Sequence, residues 1–191
     1  MNKASIALRK MVLSVCFLVM GWLLPLVTLR IPTIGNMLCP MHIPVLLCGL
    51  ILGPKYGGLV GLILPLTRSI FWGMPPLYPT AICMMVELAT YGIVSGIVYG
   101  LLGGKMRADA LVRIYIALIA AMCVGRLLWG VSRMVCGLFD TNTFTWSLFI
   151  TGAFLTAWPG ILLQLILIPI LIKILSYLHI LKWDTSQNKV S

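Results

Sequence analysis

Charged side chains are scarce in this sequence. Only 9% of the 191 residues are charged and 61% are hydrophobic, whereas about a quarter of the residues in a soluble domain carry charge. The mean hydropathy is +1.08. A monomer with so little polar surface would not stay dissolved in water, so the composition predicts an integral membrane protein.

Acidic residues are the rarest charged group, and their scarcity excludes most catalytic chemistry. Of the four acidic residues, only Glu87 lies within the first 108 positions, so no paired-carboxylate or dinuclear metal site can form within the membrane. The two histidines, His42 and His179, are predicted on opposite sides of the membrane. The sequence also lacks HExxH, GxSxG and P-loop motifs. We therefore predict no catalytic site, no ATP hydrolysis by this chain, no cofactor and no metal.

The cysteines follow no metal-binding pattern. None of the six forms a CxxC pair, and most fall within apolar runs. We therefore expect free thiols that pack as small hydrophobic side chains.

Long apolar runs are abundant and predict the fold. A spanning helix needs about 20 apolar residues. On this basis we predict an all-α integral membrane protein, a single domain over residues 1–191 with six transmembrane helices at about 10–29, 41–53, 56–73, 79–102, 110–137 and 148–180. The second helix is short, so it is expected to be tilted or partly re-entrant, and Pro159 and Pro169 are expected to kink the sixth. The first run is longer than the apolar core of a signal peptide and lacks an Ala-x-Ala site, so a retained helix is expected.

Basic residues predict the orientation of these helices. The chain carries 14 Lys+Arg and a formal net charge of +10. The opposite, outer loops contain Arg30 and Asp140 as their charged residues. Because positive charge favours the cytoplasmic side, both termini are predicted to be cytoplasmic, and the charge needs no nucleic-acid partner. The basic residues at the predicted inner ends are Lys3, Arg9, Lys10, Lys55, Lys105, Arg107, Arg113, Lys173, Lys182 and Lys189.

Polar and aromatic residues within the predicted helices indicate a binding pocket. Charges inside a membrane span are costly and usually face the protein interior or a cavity. Here the intramembrane charges fall in the outer halves of the helices, whereas the inner halves contain only Gln164. We therefore predict a pocket open to the outside. Its candidate substrate-binding residues are His42, Arg68, Trp72, Glu87, Tyr91, Arg126, Trp129, Arg133 and Trp158.

Several of these residues can have a structural role instead of binding a substrate. Glu87 can serve as the ion-pair partner of Arg126 or contact a ligand. His42 can be a structural hydrogen-bonding group, and Trp72 can belong to the aromatic belt of the membrane interface. Arg133 can extend to the outer headgroups. If Glu87 neutralises one arginine, the remaining positive charge favours a small anionic ligand such as a carboxylate.

Glycines repeat every four residues along two predicted helices. Such ladders let helix backbones approach closely. They are compatible with internal packing or with docking of a partner helix. The ladders comprise Gly57 and Gly61, and Gly92, Gly96, Gly100 and Gly104.

Residues 41–92 carry a family resemblance. The segments are "HIP" at the start of the second helix, "GPKYG" at the inner turn, "GMPPLYPTA" at the outer turn and "ELATYG" in the fourth helix, followed by "GR" at 125–126. Together they resemble the S components of energy-coupling factor (ECF) transporters, the vitamin-binding membrane subunits. The six-helix plan with both ends inside extends the resemblance over most of the chain.

The resemblance implies a substrate-specificity subunit of an ATP-driven micronutrient importer in a prokaryotic cytoplasmic membrane. Its partners would be a transmembrane coupling protein and two cytoplasmic ATPases. The loop at 30–40, with Asn36 and Met37, would gate the site. The family docks through a small-xxx-small motif on the first helix, where this chain lacks the alanines and has, at the matching positions, Ser14, Val15, Leu18 and Val19.

The sequence leaves alternatives open for both the substrate and the class of function. The resemblance favours the pantothenate-like branch, and pantothenate's carboxylate suits the surplus arginines; riboflavin, folate and other precursors stay open. A different class of function is a non-transport scaffold subunit of a cell-envelope complex. A scaffold has no need of several buried arginines on one side of the membrane, and an intramembrane hydrolase would lack a nucleophile–base pair.

Overall fold

The structure is a computed structural model that describes residues 3–28, 40–103, 110–137, 151 and 157–177. These residues form six α-helices, and a π-helical turn, Leu77–Ala81, leads directly into the fourth. The all-α class is confirmed. The helices are α1 Lys3–Thr28, α2 His42–Leu52, α3 Pro54–Trp72, α4 Ile82–Leu101, α5 Ala110–Gly137 and α6 Trp158–Tyr177.

Among the residues that the structure describes, four helical segments are long and apolar enough to cross a membrane. They are Ala4–Pro25, Leu77–Leu101, Leu111–Gly137 and Trp158–Tyr177. The chain is therefore a multi-pass membrane protein. The apolar helix α2 has 11 residues, about 16 Å of helix, which is shorter than a bilayer core of about 30 Å. Six spans, cytoplasmic termini and a single-domain organisation stay predictions.

Two helices, α1 and α6, start about seven and ten residues away from their predicted starts, whereas the other starts agree within about three residues. Helix α1 begins at Lys3 rather than near residue 10, because a helix can continue through the basic residues that precede its apolar run. Helix α6 begins at Trp158 rather than near residue 148, with a turn at Ala157. Pro159 therefore lies in the first turn, where proline is well tolerated, and Pro169 lies inside the helix.

Helix α2 forms the centre of the bundle. Every one of its residues is buried, and it contacts α1, α3, α4 and α6. Its sequence explains this position, because HIPVLLCGLIL is apolar on every face, and a helix that is apolar all round belongs in a protein interior. The start of α2 therefore brings His42 into the middle of the bundle.

The "GPKYG" segment forms the tight connection between α2 and α3. Gly53 has a φ of 97°, a conformation that favours glycine, and Pro54 occupies the first position of α3, where proline is favoured. The amide of Gly53 donates to the carbonyl of Gly49, and the amide of Gly57 donates to the carbonyl of Gly53, each at 3.1 Å. This connection turns the chain back on itself, so that α2 and α3 pack side by side.

Glycines also let α2, α3 and α4 touch through their backbones. A Cβ atom on Gly92 of α4 would collide with the backbone of Gly57 on α3, and one on Gly49 of α2 would collide with the carbonyl of Gly92. A Cβ on Gly61 would meet the backbone of Leu88. We call this contact, formed by Gly49, Gly57, Gly61 and Gly92, the glycine seam.

The seam decides between the two interpretations of the glycine ladders. Gly57, Gly61, Gly92 and Gly96 are buried in internal contacts, so internal packing is correct for these positions. Gly100 is exposed, and a Cβ atom at this position would have no neighbouring atom within 4 Å among the described residues. Gly104 lies outside the described residues.

We expect Gly92→Ala to destabilise the protein, because its methyl group would force α3 and α4 apart. Overpacking of this kind costs about 1–3 kcal/mol. The matched control is Gly100→Ala on the same helix, whose methyl group meets no described neighbour. Thermal unfolding of the detergent-purified variants tests this: equal midpoints for the two variants would contradict the seam.

Candidate functional site

A single buried carboxylate is the centre of the polar site. Glu87 of α4 is 2% exposed. Its Oε1 lies 3.1 Å from Nη1 of Arg126 and 3.6 Å from Nε2 of His42, and it accepts a 3.0 Å hydrogen bond from the hydroxyl of Tyr91. The expected Glu87–Arg126 ion pair is therefore present. We call these four residues, which come from α2, α4 and α5, the Glu87 cluster.

The cluster compensates for the cost of burying charge. An isolated carboxylate in an apolar interior is strongly disfavoured unless it is paired and hydrogen-bonded. Here the guanidinium of Arg126 supplies the opposite charge and Tyr91 supplies a neutral donor. Removing one partner of such a buried pair leaves the other uncompensated, which costs far more than the pair contributes. Glu87 and Arg126 therefore stabilise the contact between α4 and α5 only as a pair.

Helical spacing and one glycine explain how the cluster forms. Glu87 and Tyr91 are four residues apart on α4, so their side chains lie on the same face. The Tyr91 ring is buried against the backbone of α5 at Gly125, where a Cβ atom would overlap the ring carbons Cδ1 and Cε1. The "GR" dipeptide thus has two roles: Gly125 makes room for Tyr91, and Arg126 reaches Glu87.

His42 is held within the same cluster. It is the first residue of α2 and is 2% exposed. Its ring centroid lies 5.2 Å from that of Tyr91, with the ring planes inclined by 56°. These contacts support the structural interpretation of His42, and a direct substrate contact stays a prediction.

Arg68 is a second buried arginine. It lies on α3, a helix that contributes no residue to the Glu87 cluster. It is 9% exposed. Within the part of the chain that the structure describes, it makes neither an ion pair nor a hydrogen bond. Contact of Arg68 with an anionic ligand stays a prediction.

Gln164 on α6 is a buried polar residue that is not among the binding residues predicted from the sequence. It is 2% exposed, and its Nε2 has no hydrogen-bond partner among the described residues. The sequence contains a feature that could have identified it, because Gln164 is the only polar side chain between Pro159 and Ile172.

Trp72 belongs to an aromatic group on the surface rather than to the Glu87 cluster. It is 44% exposed at the end of α3. Its ring centroid lies 5.6 Å from that of Trp22 on α1, and Phe71 also packs against Trp22 at 5.6 Å. The indole of Trp22 donates to the hydroxyl of Thr67 at 3.1 Å. This position favours the interface-belt interpretation of Trp72, and the sequence reasoning did not identify Trp22.

The remaining predicted binding residues lie on α5 and α6. Trp129 and Arg133 are half-buried on α5. Trp158 is exposed at the start of α6. Their part in binding stays a prediction. The predicted gate residues, Asn36 and Met37, lie outside the described residues.

The predicted docking residues on α1 divide between two faces. Val15 and Val19 are exposed and, with Met20 and Leu23, line a shallow apolar groove of about 420 Å³. Leu18 is half-buried and packs against the core. The hydroxyl of Ser14 donates to the carbonyl of Lys10 at 2.8 Å. Of these four predicted docking residues, Val15 and Val19 are the ones that lie on the outward face of α1.

Comparison with protein families shows that most of the chain matches a family model. The model of the family described as "ECF transporter, substrate-specific component" matches residues 9–172. No curated protein and no solved structure matches the chain significantly.

We expect Glu87→Gln to destabilise the fold, because Arg126 would keep its charge and lose its counter-ion. Breaking a buried pair in this way costs about 3–5 kcal/mol. The control is the double variant Glu87→Gln/Arg126→Gln, which removes both charges and should recover part of the loss. Thermal unfolding measures both. A single variant as stable as the wild type would show that the pair does not hold α4 and α5 together.

Proposed function

Because this chain belongs to the family of substrate-specific components of ECF transporters, we propose that it confers substrate specificity on an ATP-driven importer of a vitamin or related micronutrient. As a family member it is a transporter subunit and not itself a catalytic enzyme. The family match favours this function over the scaffold alternative.

The charge balance of the buried arginines supports a carboxylate-bearing substrate. Arg126 is neutralised by Glu87, whereas Arg68 has no ion-pair partner among the described residues. This difference is the observation that carries the substrate proposal. A guanidinium binds a carboxylate through charge-assisted hydrogen bonds, so a substrate carboxylate at Arg68 would supply the missing counter-charge. Pantothenate is the favoured candidate because it has one such group.

The proposed topology places the site on the outer side of a prokaryotic cell membrane. It has six spans with both termini in the cytoplasm, as the distribution of basic residues predicts. His42, Arg68 and Glu87 then lie towards the outer surface. The loop at 30–40, with Asn36 and Met37, would control access to them.

The proposed partners are a transmembrane coupling protein and two cytoplasmic ATPase subunits. The chain has no P-loop of its own, so ATP hydrolysis must come from such partners. The exposed apolar groove on α1 supports this helix as the docking surface. Within the candidate docking set, Val15 and Val19 are the better-placed contacts, because Ser14 and Leu18 are turned towards the protein.

We expect the purified protein to bind one vitamin tightly without ATP, because substrate recognition needs only this subunit. Native mass spectrometry would identify a co-purifying small molecule. Isothermal titration against pantothenate, riboflavin, folate, thiamine and biotin would then measure its affinity. A well-folded preparation that binds none of them would contradict the proposed function.

We expect Arg68→Gln to weaken binding of a carboxylate-bearing vitamin by about tenfold or more, since hydrogen bonds to charged groups contribute about 1.5–3 kcal/mol. For pantothenate, the informative comparison is its alcohol analogue, in which CH₂OH replaces the carboxylate. The wild type should discriminate between the two, and Arg68→Gln should not. Arg113→Gln, at the start of α5, is the matched arginine control. Equal affinity of wild type and Arg68→Gln for the vitamin would remove Arg68 from the site.

A further inference from the structure

The carboxamide of Gln164 is a buried group that neither the Glu87 cluster nor the proposed carboxylate site uses. It lies on the inward face of α6, on a stripe of buried residues at four-residue spacing: Gly160, Gln164, Ile168 and Ile172. The other members are small or apolar. A leucine or methionine would complete this stripe, so packing alone gives no reason for a carboxamide.

An unpartnered carboxamide at this position is costly. Leaving a buried donor without a hydrogen bond is destabilising, and buried polar side chains nearly always have a partner. Nε2 of Gln164 has none among the described residues, and Gln164 takes part in no further interaction in that part of the chain. The donor therefore needs an acceptor that the described residues do not contribute.

The position of Gln164 fits a ligand-binding role. Helix α6 packs against α2 and α5, the helices that carry His42 and Arg126. Gln164 lies six residues, about 9 Å, into the apolar span Trp158–Tyr177, and Glu87 lies ten residues, about 15 Å, into the span Leu77–Leu101. In the topology proposed above, α4 and α6 both start at the outer side. The carboxamide and the Glu87 carboxylate then both lie in the outer halves of their spans. The sequence predicts Gln164 in the inner half, and the start of α6 at Trp158 rather than near residue 148 corrects this position.

We propose that Gln164 binds the substrate directly, with its amide N–H donating to an oxygen acceptor on the bound nutrient. This inference rests on the proposed function and extends it. Arg68 and Gln164 lie on α3 and α6, which both pack against α2. In the proposed complex, the two side chains contact different parts of one molecule. The substrate class is a small carboxylate that carries a second polar acceptor, such as an amide carbonyl or a hydroxyl group, away from the acid.

The decisive variant is Gln164→Met, which keeps the length and volume of the side chain and removes the amide. If Gln164 binds the substrate, this change should raise the midpoint of thermal unfolding of the ligand-free protein, because it removes a buried donor that has no partner. It should also weaken vitamin binding by about tenfold or more, because the substrate acceptor loses its partner. A residue with a purely structural role would not give these opposite signs.

The experiment measures ligand-free thermal unfolding and titration with the same five vitamins, using the one that the wild type binds. Gln164→Leu is the second variant should the methionine variant fold poorly. Ile168→Val, one turn away on the same stripe, is the control, and it should lower the midpoint slightly without changing affinity.

The outcomes separate this inference from the proposed function. Higher or equal stability with weaker binding supports Gln164 as a substrate contact. Unchanged affinity, or a joint loss of stability and affinity, overturns it while the proposed function stands. A folded wild type that binds none of the vitamins overturns the proposed function, and the role of Gln164 with it.

Discussion

The Glu87 carboxylate is the interaction on which the architecture of this bundle depends. It receives Arg126 from α5, Tyr91 from its own helix and His42 from the start of α2, so one side chain connects three helices. In an apolar interior such a group is tolerated only with its full set of partners. The contact therefore specifies how the three helices are aligned, because a shift of any helix by one turn would separate charges that cannot be left unpaired.

Close backbone packing makes this cluster geometrically possible. The glycine seam lets α4 lie directly against α2 and α3, and Gly125 lets the Tyr91 ring lie against α5. Without these small residues the helices would stand farther apart, and the side chains of His42 and Arg126 would not both reach Oε1 of Glu87. Glycines and charges that are separate features in the sequence thus form one structural unit: the glycines set the distance between helices, and the cluster sets their register.

The two buried arginines differ in whether they have an ion-pair partner, and this difference connects the architecture to the proposed function. Arg126 forms an ion pair with Glu87, whereas Arg68, also buried, has no partner in the described part of the chain. The same contrast applies to amide and hydroxyl groups: Ser95 is satisfied by the carbonyl of Gly92, whereas Nε2 of Gln164 is not satisfied by any described residue. In a protein interior, polar groups that the fold does not satisfy are the natural contacts for a polar substrate. The residues proposed to bind the substrate, Arg68 and Gln164, therefore differ from the residues that hold the helices together.

The sequence by itself determined the membrane environment, the helical class and the approximate helix positions. It predicted Arg126 as an ion-pair partner of Glu87 and left a ligand contact open. Apolar runs and the rarity of acidic residues decide these features locally, since a single intramembrane carboxylate has few candidate partners. Only the tertiary structure decided that His42 and Tyr91 complete that cluster, that Trp72 packs at the surface with Trp22, and that Gln164 is left without a partner among the described residues. These outcomes depend on which helix faces meet, and periodicity within one helix carries no information about the helix against which it packs.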